Sequence, residues 1–198
     1  SAVNGTGIVL PSHFTERKIT DPSTARDAIN DVADTLGIVS VEDELGTADC
    51  STVLGDTYYS FPQVYRGIPV YGRKVTVSAD ADSEAALLTS GFYPIENLSV
   101  EAKITQNDAE KIVAGLYPGE ADIYVNNLVI FSLDKTNPEL AWKISVHQNN
   151  SWESVFLSAV DGRALKTFSN ELTDNESSSN RFTNVYLYNA ENRDIEVD

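Results

Sequence analysis

The chain has 198 residues, of which 30 are acidic and 14 are basic, so that its formal net charge is -16. A hydrophobic content of 41% is typical of a folded globular domain and excludes a disordered acidic tail. Basic residues occur in runs of at most two and apolar residues in runs of at most four, so neither a nucleic-acid-binding face nor a membrane-spanning segment is expected.

The first half of the chain predicts one helix followed by an antiparallel sheet. Residues 1–20 lack periodicity and are expected to form an N-terminal arm. Asp21 followed by Pro22 is typical of a helix start, and apolar residues repeat at helical spacing after it, which predicts a helix over 22–36. An acidic loop follows. Segments rich in Tyr, Val and Thr then predict a hairpin and a third strand, at residues 57–65, 70–78 and 85–92.

The second half repeats this order. Thr105 and Asp108 resemble a capping box, and apolar positions up to Leu116 predict a second, shorter helix. Asn126-Asn127 is interpreted as a break between strands and Asp161-Gly162 as a type I′ hairpin turn. The strands expected around them are 123–125, 128–133, 142–146, 155–160 and 164–168.

The last part of the chain differs in composition. Residues 170–180 are polar, acidic and rich in Ser, which predicts a flexible linker that a protease can reach. A further short strand is expected at residues 185–188.

The residue types that commonly carry chemistry form no recognisable site in the sequence. His13 and His147 lie far apart without an H-E-x-x-H frame, so zinc catalysis is not expected. Cys50 lies in the acidic loop, which raises a thiol pKa and disfavours a nucleophile. Residues 80–91 resemble a calcium-binding loop at their start, but Ala and Gly stand at the sixth and twelfth positions, so a solvated turn is the better interpretation.

One segment of the first half carries a family signature. Residues 61–72, FPQVYRGIPVYG, resemble the Q-x-Y-x-G-[IV]-P-V-[FY]-G signature of the fungalysin/thermolysin propeptide (FTP) domain. Gly67 and Pro69 also suit a turn, and the other positions suit a sheet and its core, so that mostly structural roles are expected. The matching positions are Gln63, Tyr65, Gly67, Pro69 and Val70.

Residues 99–170 resemble a PepSY domain, through Trp142 in a strand and Ala159 and Gly162 in a closing hairpin. Trp142 is expected to anchor a core and Gly162 to turn the chain. An FTP domain followed by a PepSY domain is the arrangement of the pro-region of secreted thermolysin-like (M4 family) zinc metalloproteases. The resemblance implies an α+β fold of two tandem cystatin-like units, each a helix packed on a curved antiparallel sheet.

The resemblance also implies a domain organisation. Residues 1–20 are the N-terminal arm, 21–98 the FTP-like domain and 99–170 the PepSY-like domain. Residues 171–198 are a linker that leads into the start of the mature protease. The maturation cut is expected in the polar part of this linker, at Asp174, Asn175, Glu176, Ser177, Ser178, Ser179 or Asn180.

The function implied is that of a propeptide, acting as intramolecular chaperone and temporary inhibitor of the protease domain. The expected partner is the cognate metalloprotease catalytic domain. No catalytic residue, metal ligand or cofactor is expected in this chain, since zinc and calcium belong to the parent protease domain. The absence of any Met, including a first one, fits a secreted protein whose signal peptide has been removed, and a secreted protein is expected.

Two other functions are compatible with the sequence. One is a free-standing, extracellular PepSY-type binding module that captures peptides or inhibits proteases in trans. The other is an enzyme with an unrecognised pair of carboxylates, which the many acidic residues leave open.

Overall fold

The computed structural model describes residues 7–133 and 137–169. They divide into two compact units, with 7–101, 128–133 and 137–140 in the first and 102–127 and 141–169 in the second. Helices and antiparallel strands occur in both units, which confirms the α+β class. The domain boundaries given by the resemblance stay a prediction.

The first unit is built on one long antiparallel hairpin, whose two strands span Asp56–Tyr65 and Ile68–Ala79. The elements are, in chain order, β1 (Ile8–Leu10), α1 (Pro22–Asp31), α2 (Ala33–Leu36), α3 (Val41–Glu44), β2 (Asp49–Val53), β3 (Asp56–Tyr65), β4 (Ile68–Ala79) and β5 (Ala85–Ser90). β2 pairs with the outer side of β3, β5 pairs with β4, and β1 pairs with β5. Val70 of β4 also pairs in parallel with Ile130.

The core of the first unit joins α1 to the central hairpin. Ile29 from α1, Phe61 from β3, and Val75 and Val77 from β4 are fully buried in one cluster. The period of two along a strand places Phe61 and its inward neighbours on the helix side of the sheet. Each buried side chain of this size contributes about 1.5–3 kcal/mol to folding, so the cluster holds together helices that are too short to be stable alone.

The first helix begins as predicted but ends early. Asp21 caps it by accepting a hydrogen bond from the Thr24 N–H, and proline occupies the first turn. The helix predicted over 22–36 is interrupted at Val32, whose φ of -121° and ψ of 13° are not helical and whose N–H bonds to the carbonyl of Ile29. The chain resumes as α2, which ends at Gly37 in the left-handed conformation.

Two further predictions for the first unit are wrong. Residues 8–10 of the expected arm form β1, because β5 supplies the hydrogen-bonding partner. The expected acidic loop contains both α3 and β2. In α3, the Ser40 side chain caps the helix by accepting from the N–H of Asp43, so the acidic residues begin a helix at its favourable end.

The second unit packs one helix on antiparallel strands. Its elements are α4 (Gln106–Leu116), β6 (Asp122–Phe131), β7 (Glu139–Gln148), β8 (Ser151–Ser158) and β9 (Ala164–Ser169), where β6 ends and β7 begins in the first unit. The predicted start of this helix at Thr105 is confirmed, since Thr105 Oγ1 accepts from the N–H of Asp108 at 3.1 Å and donates to the Asp108 carboxylate at 2.8 Å. The buried cluster that joins the helix to the sheet comprises Ala109, Val113, Ile144, Val146, Val155 and Leu157.

The turns of the second unit differ from the sequence prediction. β6 runs through Asn126-Asn127 without a break, and the Asn126 amide donates to Ser145 Oγ at 2.8 Å. The type I′ turn lies at Asn149-Asn150, with φ of 53° and 62°, and joins β7 to β8. At Asp161-Gly162 the loop is longer and only Gly162 has a positive φ. The predicted linker 170–180 and strand 185–188 lie outside the described residues.

Candidate functional site

The side chain of Gln63, near the end of β3, makes two hydrogen bonds to the backbone of one other residue. Its Nε2 donates to the carbonyl oxygen of Tyr93 at 2.7 Å, and its Oε1 accepts from the Tyr93 N–H at 2.9 Å. The side chain is buried, with 1% of its surface exposed. A buried amide needs partners for both its donor and its acceptor, and a single backbone residue supplies both here. The segment that leaves β5 is thereby fixed to β3.

Tyr65 and Arg66 hold the same segment a few residues further on. Tyr65 Oη accepts from the Leu98 N–H at 3.2 Å, and Arg66 Nη1 donates to the Leu98 carbonyl at 3.5 Å. The Arg66 guanidinium also lies 5.3 Å from the centroid of the Tyr65 ring, a cation–π distance. Side chains of the signature therefore bind the segment at Tyr93 and again at Leu98.

The remaining signature positions shape a two-residue turn. Arg66 and Gly67 have φ of 47° and 80°, and Tyr65 pairs with the residue after them, which is the geometry of a type I′ hairpin. Pro69 is exposed at the start of β4, whereas Val70 is buried. The signature is thus a tight hairpin whose inward side chains bind the chain that follows it.

Two arginines that the sequence analysis missed complete this arrangement. Arg73 Nη1 donates to the carbonyl of Gly91 at 3.1 Å, and burial lowers the pKa of its guanidinium. Arg26 Nη2 donates to the carbonyl of Gly46 at 2.7 Å, and its guanidinium lies 5.0 Å from the Phe61 ring centroid. The period of two along β4 places Arg73 inward and is a signal that the sequence contained. No local pattern marks Arg26.

The signature positions of the second unit converge on the start of α4. Trp142 Nε1 donates to the carbonyl of Ile104 at 2.8 Å, and the carbonyl of Ala159, which is fully buried, accepts from the Ile104 N–H at 2.9 Å. Gly162 has φ of 75°, and a Cβ there would lie 2.9 Å from Ile112 Cδ1. These three positions therefore fix the entry of the helix onto the sheet, and their contacts contain no reactive group.

The ammonium group of Lys18 binds the acidic run that follows β4. Asp80 Oδ1 accepts from the N–H groups of Asp82 and Glu84, each at 2.9 Å. Lys18 Nζ donates to the Asp82 carbonyl at 3.1 Å and to the Glu84 carboxylate, and this last bond raises the pKa of Lys18. A positive side chain of the same protein thus binds two of the three acidic residues in the segment that resembles a calcium loop.

The histidines and the cysteine do not form a site. His13 lies in the first unit, whereas His147 lies in the second, with Nδ1 3.5 Å from Asp122 Oδ2. Cys50 is exposed on β2, and partial burial and then the charge of Asp49 raise its thiol pKa. Among the described residues, no group of three or more His, Cys, Asp or Glu side chains is placed to hold a metal ion.

Two ionisable groups of the second unit have pKa values that are shifted mainly by burial. Burial lowers the pKa of Lys143 to about 8. Burial, and then a hydrogen bond that Tyr117 donates to the Glu153 carboxylate, raise the pKa of Tyr117. Lys143 is partly neutral near pH 8, but it is 4% exposed, so a substrate in solution has no access to its amine.

The expected processing positions cannot be placed in this geometry. They lie outside the described residues, at Asp174, Asn175, Glu176, Ser177, Ser178, Ser179 and Asn180.

No helix in the described part of the chain is long and apolar enough to cross a membrane.

Comparison with known proteins identifies the hairpin. Residues 50–92 match the family model of the Fungalysin/Thermolysin Propeptide Motif, which confirms the FTP resemblance. The match runs from the second residue of β2 to just beyond β5, and it contains all five signature positions of the first unit. No curated protein sequence matches the chain.

Two solved structures are similar to the chain. The YpeB C-terminal domain of Bacillus megaterium is 17% identical, covers 78% of this chain and 69% of its own, and has a TM-score of 0.43. A protein from Clostridium difficile 630, described as a lipoprotein, is 16% identical, covers 79% of this chain and 96% of its own, and has a TM-score of 0.28. The PepSY resemblance of the second unit stays a prediction.

Proposed function

We propose, starting from the propeptide motif in residues 50–92, that this chain is a pro-region of a secreted thermolysin-like zinc metalloprotease. It acts as an intramolecular chaperone and as a temporary inhibitor of the protease domain. The observation that carries the proposal is the match of this hairpin to a propeptide family. The cognate catalytic domain is the partner.

The use of the signature side chains supports a role in binding. Gln63, Tyr65 and Arg66 all bind the backbone of the segment that follows β5. Groups that are already engaged in this way stabilise a rigid surface and leave no side chain for chemistry. A rigid, preformed surface is what an inhibitor and a folding template need.

The architecture fits this role in three proposed parts. Each unit is proposed to be a cystatin-like domain, the first of FTP type and the second of PepSY type. Residues 171–198 are proposed to run through the substrate groove of the protease, paired by backbone hydrogen bonds, and to be cut within 174–180. The zinc and calcium of the system belong to the catalytic domain.

The charge of the chain supports a steered association. A net charge of -16 keeps a precursor soluble. It also raises the association rate with a partner that carries a basic patch, since complementary charge acts mainly on encounter. Inhibition is therefore expected to weaken as salt is added.

The test is inhibition and refolding of the thermolysin-like catalytic domain encoded with this chain. The full chain is titrated at fixed substrate, and a variant that lacks residues 186–198 is compared with it after circular dichroism has shown both to be folded. We expect tight inhibition by the full chain, weaker inhibition by the shortened one, and faster recovery of activity when denatured protease is refolded with the chain.

The outcomes separate the candidate functions. A folded chain that neither inhibits nor assists refolding contradicts the proposal. Inhibition that persists without cleavage of the chain, together with no effect on refolding, supports a free-standing inhibitor that acts in trans.

A further inference from the structure

The hairpin of β2 and β3 ends in an apolar tip. Val53 pairs with Asp56 across a two-residue turn, Leu54-Gly55, with φ of 51° and 88°. Leu54 is completely exposed, at 101%, and Val53 is 54% exposed. Every residue of β2 is exposed as well, so the tip is free of steric obstruction.

Leucine is an unfavourable residue for this turn in two respects. A type I′ turn needs positive φ at both central positions, which favours Asn, Asp or Gly and is costly for a bulky side chain, by about 1–2 kcal/mol. A fully exposed leucine also gains nothing from burial. Among the described residues, the other non-glycine residues with positive φ are all polar, namely His13, Arg66, Ser83, Asn97, Asn149 and Asn150. The fold itself gives no reason for a leucine here.

The sequence around the tip has charge of one sign. Between Arg26 and Arg66 there is no Lys, Arg or His. The charged residues of this stretch are eight acids, Asp27, Asp31, Asp34, Glu42, Asp43, Glu44, Asp49 and Asp56. Two of them lie on the hairpin itself. Because both charged residues of the hairpin are acidic, a complementary surface combines an apolar pocket with basic side chains beside it.

We propose that Leu54 and Val53 form a plug that inserts into an apolar pocket, rimmed by basic side chains, on the catalytic domain of the metalloprotease. The identity of this partner rests on the proposed function. Strain and exposure at Leu54 are then offset in the complex, where the leucine is buried. A contact of this kind, at the tip of a rigid hairpin, has the character of a binding hot spot.

The test replaces the leucine with the residue that the turn prefers. Leu54→Asn creates an Asn-Gly turn, the strongest type I′ signal, so the full-length variant is expected to fold at least as well as the wild type. Its inhibition of the catalytic domain is expected to be about 10- to 100-fold weaker, since one buried leucine is lost. The matched control is Val39→Asn, because Val39 is another exposed apolar residue of the first unit, at 94%.

Each result has a defined meaning. Weaker inhibition by Leu54→Asn, with unchanged inhibition by Val39→Asn and a melting temperature of Leu54→Asn no lower than that of the wild type, supports the plug. Equal inhibition by wild type and Leu54→Asn overturns the plug and leaves the proposed function intact. No inhibition by the wild type overturns both. Sedimentation of the wild type alone is the last check, since a dimer that Leu54→Asn dissociates would assign the tip to a second copy of the chain.

Discussion

The turns at the two ends of β3 are of the same type but differ in the contacts that their first central residue makes. At the start of the strand, the Leu54-Gly55 turn has φ of 51° and 88°, and at its end the Arg66-Gly67 turn has φ of 47° and 80°. Arg66 binds the Leu98 carbonyl and lies over the Tyr65 ring, whereas Leu54 is fully exposed. The backbone is therefore equally strained at both ends, and only one end has local contacts that offset the strain.

This difference separates a structural turn from a candidate binding turn. An unfavourable backbone that local contacts compensate needs no external explanation, because the fold itself accounts for it. An unfavourable backbone that carries an exposed apolar side chain needs a contact outside the unit. Four predictions test how far this comparison holds.

The largest effect is expected from Gln63→Leu. The substitution keeps the volume of the side chain but removes both hydrogen bonds to the Tyr93 backbone, in a buried position. The free energy of unfolding is expected to fall by about 2–3 kcal/mol, measured by urea denaturation. Gln106→Leu is the control, because its single bond to the Val125 carbonyl is exposed. A loss no larger than that of the control would show that the end of β3 is not held by this amide.

The next largest effect is expected from replacing the glycine of each turn, because both glycines have a positive φ. Gly55→Ala and Gly67→Ala place a Cβ where nothing lies within 4 Å, at φ of 88° and 80°. Each is expected to destabilise the protein by about 1–2 kcal/mol through backbone strain alone. Thermal unfolding of the two variants should therefore give equal losses. A loss at one glycine that greatly exceeds the other would break the equivalence of the turns.

A smaller effect is expected from Tyr65→Phe. The variant loses the oxygen that accepts from the Leu98 N–H at 3.2 Å, and the expected loss is about 0.5–1.5 kcal/mol. Tyr58→Phe, in the same strand, is the control and is expected to leave the urea midpoint unchanged. Equal urea midpoints for both variants would show that the Tyr65 hydroxyl does not help to hold the segment at Leu98.

The smallest effect has the opposite sign. Leu54→Asn is expected to raise the free energy of unfolding by about 0.5–1 kcal/mol, because Asn tolerates the left-handed region. Arg66→Asn is expected to give no gain, because it loses the contacts with Leu98 and Tyr65. Melting temperatures measured side by side check this. A gain at both turns, or at neither, would contradict the assignment of compensated strain to Arg66 alone.

The parts of the fold that the sequence predicted correctly depend on local signals. Asp21 and Pro22 mark the start of α1, Thr105 caps α4, and the alternation of apolar residues marks the central hairpin. Each of these signals involves residues that lie only a few positions apart in the sequence. β1 was missed because three residues become a strand only when β5 is beside them. The same distance effect hides the Gln63 site, whose partner Tyr93 lies on another segment.

Two pairs of asparagines show why turns were predicted less well. Asn126-Asn127 continues a strand, because the Asn126 side chain finds a partner in Ser145. Asn149-Asn150 turns the chain, because the residues around it pair with each other. The dipeptide is identical in both places, so the neighbouring strands decide its conformation. The Arg26 and Lys18 contacts were unpredictable for the same reason, since each joins two residues that lie at least 20 positions apart in the sequence.

The burial of the Gln63 amide also bears on deamidation at this position. Deamidation converts a glutamine into a glutamate, whose carboxylate has no N–H to donate. At this position the new oxygen would face the Tyr93 carbonyl oxygen, and a negative charge would be trapped at a site with 1% exposure. The same burial keeps hydrolytic water away from the amide carbon, so the damage requires prior opening of the segment at Tyr93. The rate of deamidation at Gln63 is therefore set by how often that segment detaches.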